Sequence, residues 1–421
     1  MKFKFITDRD DISSLPLHIK EEIAVRGLLT KKNSERISFC GMLIEQNKAY
    51  IFIPRGSKHQ KEKEIEYACL LMSALEKYSL EGKSHLKSND EDNLEYGLCY
   101  LTLAKELLTD YQSHGLYTKI SKKELANSGK INWRKTFQRQ FPVPGKYGIP
   151  IYLQFNGYHY SNTTAHEIAL IHAEIVHYLD QYLSWWFIKK PNYLIAPELN
   201  KFEKSSLSHD EKLYILNKEL NQAYSEREIR LLSNLINFLS QEPGTALTKL
   251  VLGVKNFEYL WEEMLNSTLK NKRKNNKNWL PHPIYKSETV NLKDTERDGM
   301  RPDIFITNEE FKTAAVIDAK YYDANSSNSL PALHDILKQI CYKNAVKLIY
   351  PTLEKIDNIF IFPGETQHYS CIEFQHEELE QDDIFQVFPP IKCIYLNPVH
   401  VIEAYTNNKH LSNIRSKLLS I

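Results

Sequence analysis

Asp303, Asp318 and Lys320 are the residues of this chain whose types and spacing could do chemistry. They lie in RPDIFITNEEFKTAAVIDAKYY, Arg301–Tyr322. Ile304–Ile306 reads as one strand and Thr313–Tyr321 as the next, around a polar turn at Thr307–Glu310, so the stretch predicts a hairpin. Side chains alternate along a strand, which sends Asp318 and Lys320 to one face and Ala319 to the other. Asp303 opens the preceding strand and is brought to the same spot. A cluster of two carboxylates and an ammonium is costly to desolvate unless a ligand compensates. A hard cation such as Mg²⁺, with Mn²⁺ as a substitute, takes oxygen ligands and keeps several waters. Asp303, Asp318 and the Ala319 carbonyl would make a sufficient protein half-site for it. Water on such an ion becomes more acidic, and a lysine beside it can orient it or stabilise transition-state charge. That chemistry is phosphodiester hydrolysis. The plain alternative is an exposed hairpin with ordinary surface charges.

Several elements would have to position these groups. FEYLWEEMLNSTL, Phe257–Leu269, predicts a helix with Phe257, Leu260, Trp261, Met264 and Leu265 on one face. Glu258 and Glu262, four apart, share a side of it. LHDILKQICYKNAVKLI, Leu333–Ile349, predicts an amphipathic helix with Ile336, Leu337, Ile340, Cys341, Ala345 and Leu348 inward. Its Lys338, Gln339 and Tyr342 are candidate phosphate contacts, or simply a solvated face. Asp357–Pro363 predicts a short buried strand, and Ile284–Leu292 a first strand ahead of the hairpin.

Pro302-Asp303 with Asp318-Ala319-Lys320 resembles the PD-(D/E)xK nuclease signature, and the order helix, three strands, helix, strand matches its αβββαβ core. In that class a helix before the sheet often lends the metal site a carboxylate. The resemblance implies Glu262 in that role, with Glu258 in reserve; two solvated helix glutamates are the alternative. LWEEML, LKDTERDGMRPDIFI, VIDAKYY, DILKQICY and CIYLNPVHVIEAY are similar to the nuclease subunit of McrBC-type restriction systems, most of all the LlaJI-type restriction endonucleases. SGKINWRKTF, Ser128–Phe137, is also similar to that family. One departure is clear: relatives often place Gln four residues before Tyr, whereas Lys338 holds that place here and Gln339 is one residue late. The resemblance implies a Mg²⁺-dependent endonuclease subunit acting on double-stranded DNA. It also implies a McrB-like AAA+ GTPase partner that recognises or translocates DNA and licenses cleavage. A standalone homodimeric type II-like enzyme and a catalytically silent scaffold of the GTPase are the competing readings.

Bulk properties bound these expectations. At 421 residues the chain suggests two or three domains. A division into a mixed α/β docking region 1–125, a central helical region 126–245 and a nuclease region 246–421 gives an α+β multi-domain fold class. The net charge of +1 excludes a uniformly basic protein, so any grip on DNA is local or supplied by a partner. There is no Walker-type glycine loop, so nucleotide hydrolysis belongs to another subunit. Six scattered cysteines without C-x-x-C spacing argue against zinc and fit a reducing cytoplasm. The first residues lack an apolar signal core and no apolar run is long enough for a bilayer, so no membrane contact is expected.

Elsewhere, Ile37–Ile53 predicts a hairpin about Glu45–Lys48, and Glu64–Ser79 and Leu98–Tyr111 predict helices. Ser128–Pro144 interleaves Lys130, Arg134, Lys135 and Arg139 with Trp133 and Phe137. That pattern can track a nucleic-acid backbone with stacking, or be a strand and turn whose aromatics are core. The family resemblance adds a motor-subunit contact as a third option. His166, His172, Glu174 and His177 sit on a long helix, Thr164–Ile188, off any single metal-binding face, and read as packed structural residues. Glu219–Gln241 predicts a further helix. Lys270–Asn278, with Lys272, Arg273 and Lys274, could neutralise phosphates beside the proposed site, or be a solvated loop.

Overall fold

The computed structural model describes the chain except residues 1, 31–34, 46–47, 58–62, 82–94, 97, 164–165, 191–192, 203, 242–248, 272–278, 287–294, 297–298, 311, 327–328 and 420–421. The described residues form a mixed α/β protein of two compact units. One comprises Met1–Leu101, Lys189–Pro191 and Lys249–Ile421; the other comprises Thr102–Ile188 and Asn192–Thr248.

The first unit holds two mixed five-stranded sheets. The N-terminal sheet runs in the order Lys2–Thr7, Lys48–Ile53, Cys40–Glu45, Lys249–Val254, Glu95–Tyr96. Its centre is the predicted hairpin, with Glu45 opposite Lys48. The Lys249–Val254 strand, which sequence reasoning missed, pairs antiparallel with Cys40–Glu45. Gly253 allows that approach: a Cβ there would lie 2.4 Å from the Cys40 carbonyl oxygen.

The second sheet runs Ile304–Asn308, Thr313–Ala319, Lys355–Pro363, Ile391–Leu396, Cys371–Ile372. The first pair is antiparallel, the next two parallel, and the edge antiparallel. Phe305 lies opposite Val316. Alternation therefore sends Phe305, Val316 and Ile356 to one face, where they pack with Tyr342, Ala345 and Val346 of the Leu333–Ile349 helix. The intervening Ile304, Ile306, Ala315, Ile317 and Ile359 are buried as well, as expected for a sheet covered on both sides.

Two expectations are corrected here. Ile284–Tyr285 pairs with Thr295–Glu296 as a separate two-stranded ribbon, and residues 287–294 lie outside the described residues. Both Ile284 and Tyr285 are exposed, so this ribbon has no apolar face to add to the core. The Leu333–Ile349 helix has its predicted bounds but a different inner face. Gln339, Ile340, Tyr342, Ala345 and Val346 are buried, while Leu337, Cys341 and Leu348 are exposed. The Gln339 amide hydrogens and the Tyr342 hydroxyl find partners inside, so polarity alone points the wrong way.

The second unit contains the helices His166–Ile188, His209–Leu220 and Glu226–Gln241 and a three-stranded sheet. The predicted Glu219–Gln241 helix is two helices. The first ends at Leu220 and the next begins after Ser225, whose hydroxyl accepts from the Glu228 N–H. His172 is fully buried, its Nδ1 accepts from the Tyr117 N–H at 3.1 Å, and burial lowers its pKa to about 4. It is a packed neutral histidine, as expected. Among the described residues no helix is long and apolar enough to cross a membrane.

Candidate active site

The geometry of the site follows from the hairpin register. Ile304 pairs with Ile317, so one step further Asp303 stands across from Asp318. The Asp303 Oδ2 accepts from the Ala319 N–H at 2.8 Å, which ties the first strand's start to the second strand's end. Asn271 fixes the same point from outside. Its amide donates to the Asp303 carbonyl and accepts from the Phe305 N–H, both at 3.0 Å, as a strand neighbour would.

Lys320 lies just past the strand, its own N–H bonded to the Ile361 carbonyl. Its ammonium stands 2.8 Å from Asp318 Oδ2 and 2.8 Å from Asp335 Oδ1. Asp335 comes from the first turn of the Leu333–Ile349 helix. Burial disfavours the charged lysine, but Asp318 and Asp335 outweigh it and hold the ammonium's pKa above its ordinary value. Tyr321, one residue on, points to the opposite face. There its ring packs 5.2 Å from Phe257 and 6.5 Å from Trp261, and its hydroxyl accepts from the Arg55 N–H.

Glu262 belongs to the Glu258–Thr268 helix. Burial raises its pKa, and Asp318 raises it further while Arg301 opposes. Asp303 is raised well above the usual carboxylate range, first by burial and then by Asp318 and Glu262. The three acids therefore share one electrostatic environment. Glu258, by contrast, faces Arg9, whose Nη2 is 3.4 Å away.

Among the described residues no group of three or more His, Cys, Asp or Glu side chains is placed to hold a metal ion. Glu262 is thus a neighbour of the Asp303–Asp318 pair rather than a third ligand in place. The pair itself suits a hard cation. Asp318 Oδ2 is buried and ion-paired to Lys320, yet lies outside hydrogen-bonding alignment with any donor.

The helix residues divide. Gln339 is 1% exposed and donates its amide to the Val316 and Ile359 carbonyls, both at 3.1 Å, so its amide hydrogens are committed to the sheet and not to phosphate. Tyr342 is buried, with its pKa pushed up to about 12 by burial and its hydroxyl bonded to the Arg301 backbone, which leaves it beside Asp303 rather than on the surface. Lys338 is exposed. Lys272, Arg273 and Lys274 lie outside the described residues. Sequence reasoning missed Asp335 and Asn271. An acid in a helix's first turn passes for a dipole partner, and an asparagine in a basic run passes for a loop residue.

The LlaJI restriction endonuclease profile matches residues 39–396. The chain belongs to the LlaJI restriction endonuclease family. It is 25% identical over 314 residues to the type II restriction enzyme BsuMI component YdjA of Bacillus subtilis strain 168. That match covers 70% of this chain and 63% of the relative, so the chain spans less than two thirds of that relative's length. Among solved structures it is similar to a chain in the refined half-complex of the tetradecameric assembly of Thermococcus gammatolerans McrB AAA+ hexamers with bound McrC. The TM-score is 0.41 and the identity 11%, over 98% of this chain and 100% of the other. A chain of the T. gammatolerans McrBC complex is matched with a TM-score of 0.30 and 11% identity, over 63% of this chain and 86% of that one.

Proposed function

We propose that residues 246–421 of this LlaJI-family chain form a PD-(D/E)xK nuclease that hydrolyses double-stranded DNA. The observation that carries the reading is the meeting of Asp303, Asp318 and Lys320 at the open end of one hairpin. The relative from B. subtilis, described as a component of a type II restriction enzyme, favours the same substrate class.

Asp303, Asp318 and the Ala319 carbonyl would hold Mg²⁺ or Mn²⁺, which when bound acidifies water and shields phosphate charge. Lys320, held between Asp318 and Asp335, keeps its proton and presents positive charge to the scissile phosphate. Asp335 shares that ammonium with Asp318, each carboxylate 2.8 Å from it, so the lysine is held from two sides. Glu262 supplies a further carboxylate to orient or accept a proton from the attacking water. The Ala319 N–H and Asn271 fix the Asp303 carboxylate and backbone, so the acid is oriented before substrate arrives.

The enzyme acts as the nuclease subunit of a McrBC/LlaJI-like restriction system and is licensed by a McrB-like AAA+ GTPase. The chain's lack of a nucleotide-binding glycine loop fits that division. The deciding experiment is plasmid cleavage in Mg²⁺ with the partner GTPase present. Asp318→Ala should abolish cutting while leaving partner binding intact; retained cutting removes the site assignment. Sequence-specific cutting by the purified chain alone would instead favour a standalone enzyme. Stimulation of GTP turnover by a wild type that never cuts would favour a scaffold.

A further inference from the structure

The Trp133–Arg139 helix in the second unit is built inside out. Its buried residue is Thr136, whose hydroxyl donates to the Asn132 carbonyl and accepts from the Asn156 N–H. Asn132 caps the helix by accepting from the Lys135 N–H. These bonds dock the helix on the Asn156–Thr163 strand and turn its aromatic face outward. Trp133 is 52% exposed and Phe137 58% exposed, their rings 5.6 Å apart. Tyr152 extends the row, 5.2 Å from Phe137. An exposed aromatic row of this kind is what a monomeric protein ordinarily hides.

A short hairpin follows, Val143–Pro144 paired with Pro150–Ile151. At its tip Tyr147 is 89% exposed and sits in the left-handed region, at φ 69°. A tyrosine there is strained, and its ring packs into no core of its own. The charge is equally one-sided. From Leu125 to Ala165 the chain carries five Lys or Arg residues and no Asp or Glu, in a protein whose net charge is +1. Among the described residues, Lys130, Arg134, Arg139 and Lys146 have no carboxylate partner.

We infer that this helix and hairpin, Lys130 to Leu153, bind single-stranded DNA: Trp133, Phe137 and Tyr152 stack on unpaired bases while Arg134, Arg139 and Lys146 neutralise phosphates. Exposed ring faces favour an unpaired strand, because bases in a duplex have their own faces occupied. The absence of carboxylates favours a polyanion over an ordinary protein surface of mixed charge. Neither feature involves the Asp303–Asp318 pair.

The test is fluorescence anisotropy of a labelled oligo-thymidine titrated with the full-length Asp318→Asn chain, without divalent cation, so that neither outcome depends on cleavage. Trp133→Ala and Phe137→Ala should each weaken binding about ten-fold. The triple change Arg134→Ala, Arg139→Ala, Lys146→Ala should flatten the slope of log affinity against log salt by about 2, at roughly 0.7 per phosphate. Replacing the two arginines by lysine, with Lys146 left in place, should keep the slope. All these side chains are exposed, and a thermal melt followed by circular dichroism should match that of the parent. Parent-level affinity and salt slope in the aromatic and charge variants would overturn the inference. So would tighter binding to a duplex of the same length, or variants that lose a protein partner while binding the oligonucleotide normally.

Discussion

Asp335 offers the sharpest test of how the site is held, because among the described residues its carboxylate pairs with the Lys320 ammonium and the neighbouring His334. Consider Asp335→Ala. The pair is 2.8 Å long, with side chains 16% and 18% exposed, so it is neither a surface bridge nor a fully desolvated one. Hydrogen bonds to charged groups contribute about 1.5–3 kcal/mol, and exposed ion pairs about 0–1 kcal/mol. Partial solvent access places this one near 1.5 kcal/mol. Lys320 then has Asp318 as its remaining carboxylate partner, already 2.8 Å away, and the ammonium is held from one side instead of two. The same free energy in the transition state is about ten-fold in rate. Plasmid nicking should therefore slow about ten-fold at saturating DNA, with the half-saturating DNA concentration unchanged. On the proposed reading the required Mg²⁺ concentration should rise, since the ammonium's charge is then no longer divided between Asp335 and Asp318. Asp335→Asn, which keeps an acceptor at the same place, should recover part of the rate. Lys338→Ala, at an exposed position on the same helix, is the matched control. If Asp335→Ala nicks at the parental rate with the parental Mg²⁺ requirement, the lysine does not need this restraint and the positioning argument fails.

Further expectations concern protons and packing. Asp303 and Glu262 are both raised by burial and by neighbouring acids, so on the proposed reading raising pH should tighten Mg²⁺ binding. Calorimetry in buffers of different ionisation enthalpy should show proton release that is reduced in Asp303→Asn. Asp8 is buried and its pKa is raised to about 6 from 3.8, mainly by desolvation. Its folded form prefers the proton, so the stability it contributes is present below the unfolded value and lost as pH climbs through about 6. Asp8→Asn keeps the acceptor for the Phe39 N–H and should stabilise the fold at pH 8 by about 3 kcal/mol, read from denaturant melts; no gain would sink this account. Gln339→Ala removes two hydrogen bonds to buried sheet carbonyls and should cost about 2 kcal/mol on the same melts. A neutral result there would mean the amide is not holding the helix to the sheet.

How much of this was legible in the sequence depends on periodicity. The hairpin was readable because two apolar runs flank a polar turn, and alternation then determines which side chains converge. The Leu333–Ile349 helix was legible in its extent and not in its orientation. Its buried face carries Gln339, whose amide hydrogens bond to the Val316 and Ile359 carbonyls, and Tyr342, whose hydroxyl bonds to the Arg301 backbone. A rule that sends polar residues outward cannot see such partners. Trp133 and Phe137 show the converse, since aromatics are ordinarily core and these are not. Asp335 escaped notice because its meaning lies in Lys320, fifteen residues earlier in the chain.

The Lys249–Val254 strand carries the most consequence for how the chain is divided. On the proposed reading, a nuclease region starts near residue 246. By packing, the strand that begins it belongs to the N-terminal sheet, between Cys40–Glu45 and Glu95–Tyr96. Immediately after it comes the Glu258–Thr268 helix with Glu262. The link is repeated at Tyr321, next to Lys320, whose hydroxyl accepts from the Arg55 N–H and lies 3.7 Å from the Cys40 sulfur. A fragment of residues 246–421 would expose both edges of Lys249–Val254 and strip the buried Tyr321 hydroxyl of its partners. Such a fragment should be aggregation-prone, and adding back residues 1–101 as a separate chain should improve its solubility. A fragment that is monomeric and cleaves DNA as the whole chain does would show that the N-terminal sheet plays no part in holding Glu262 and Lys320 in place.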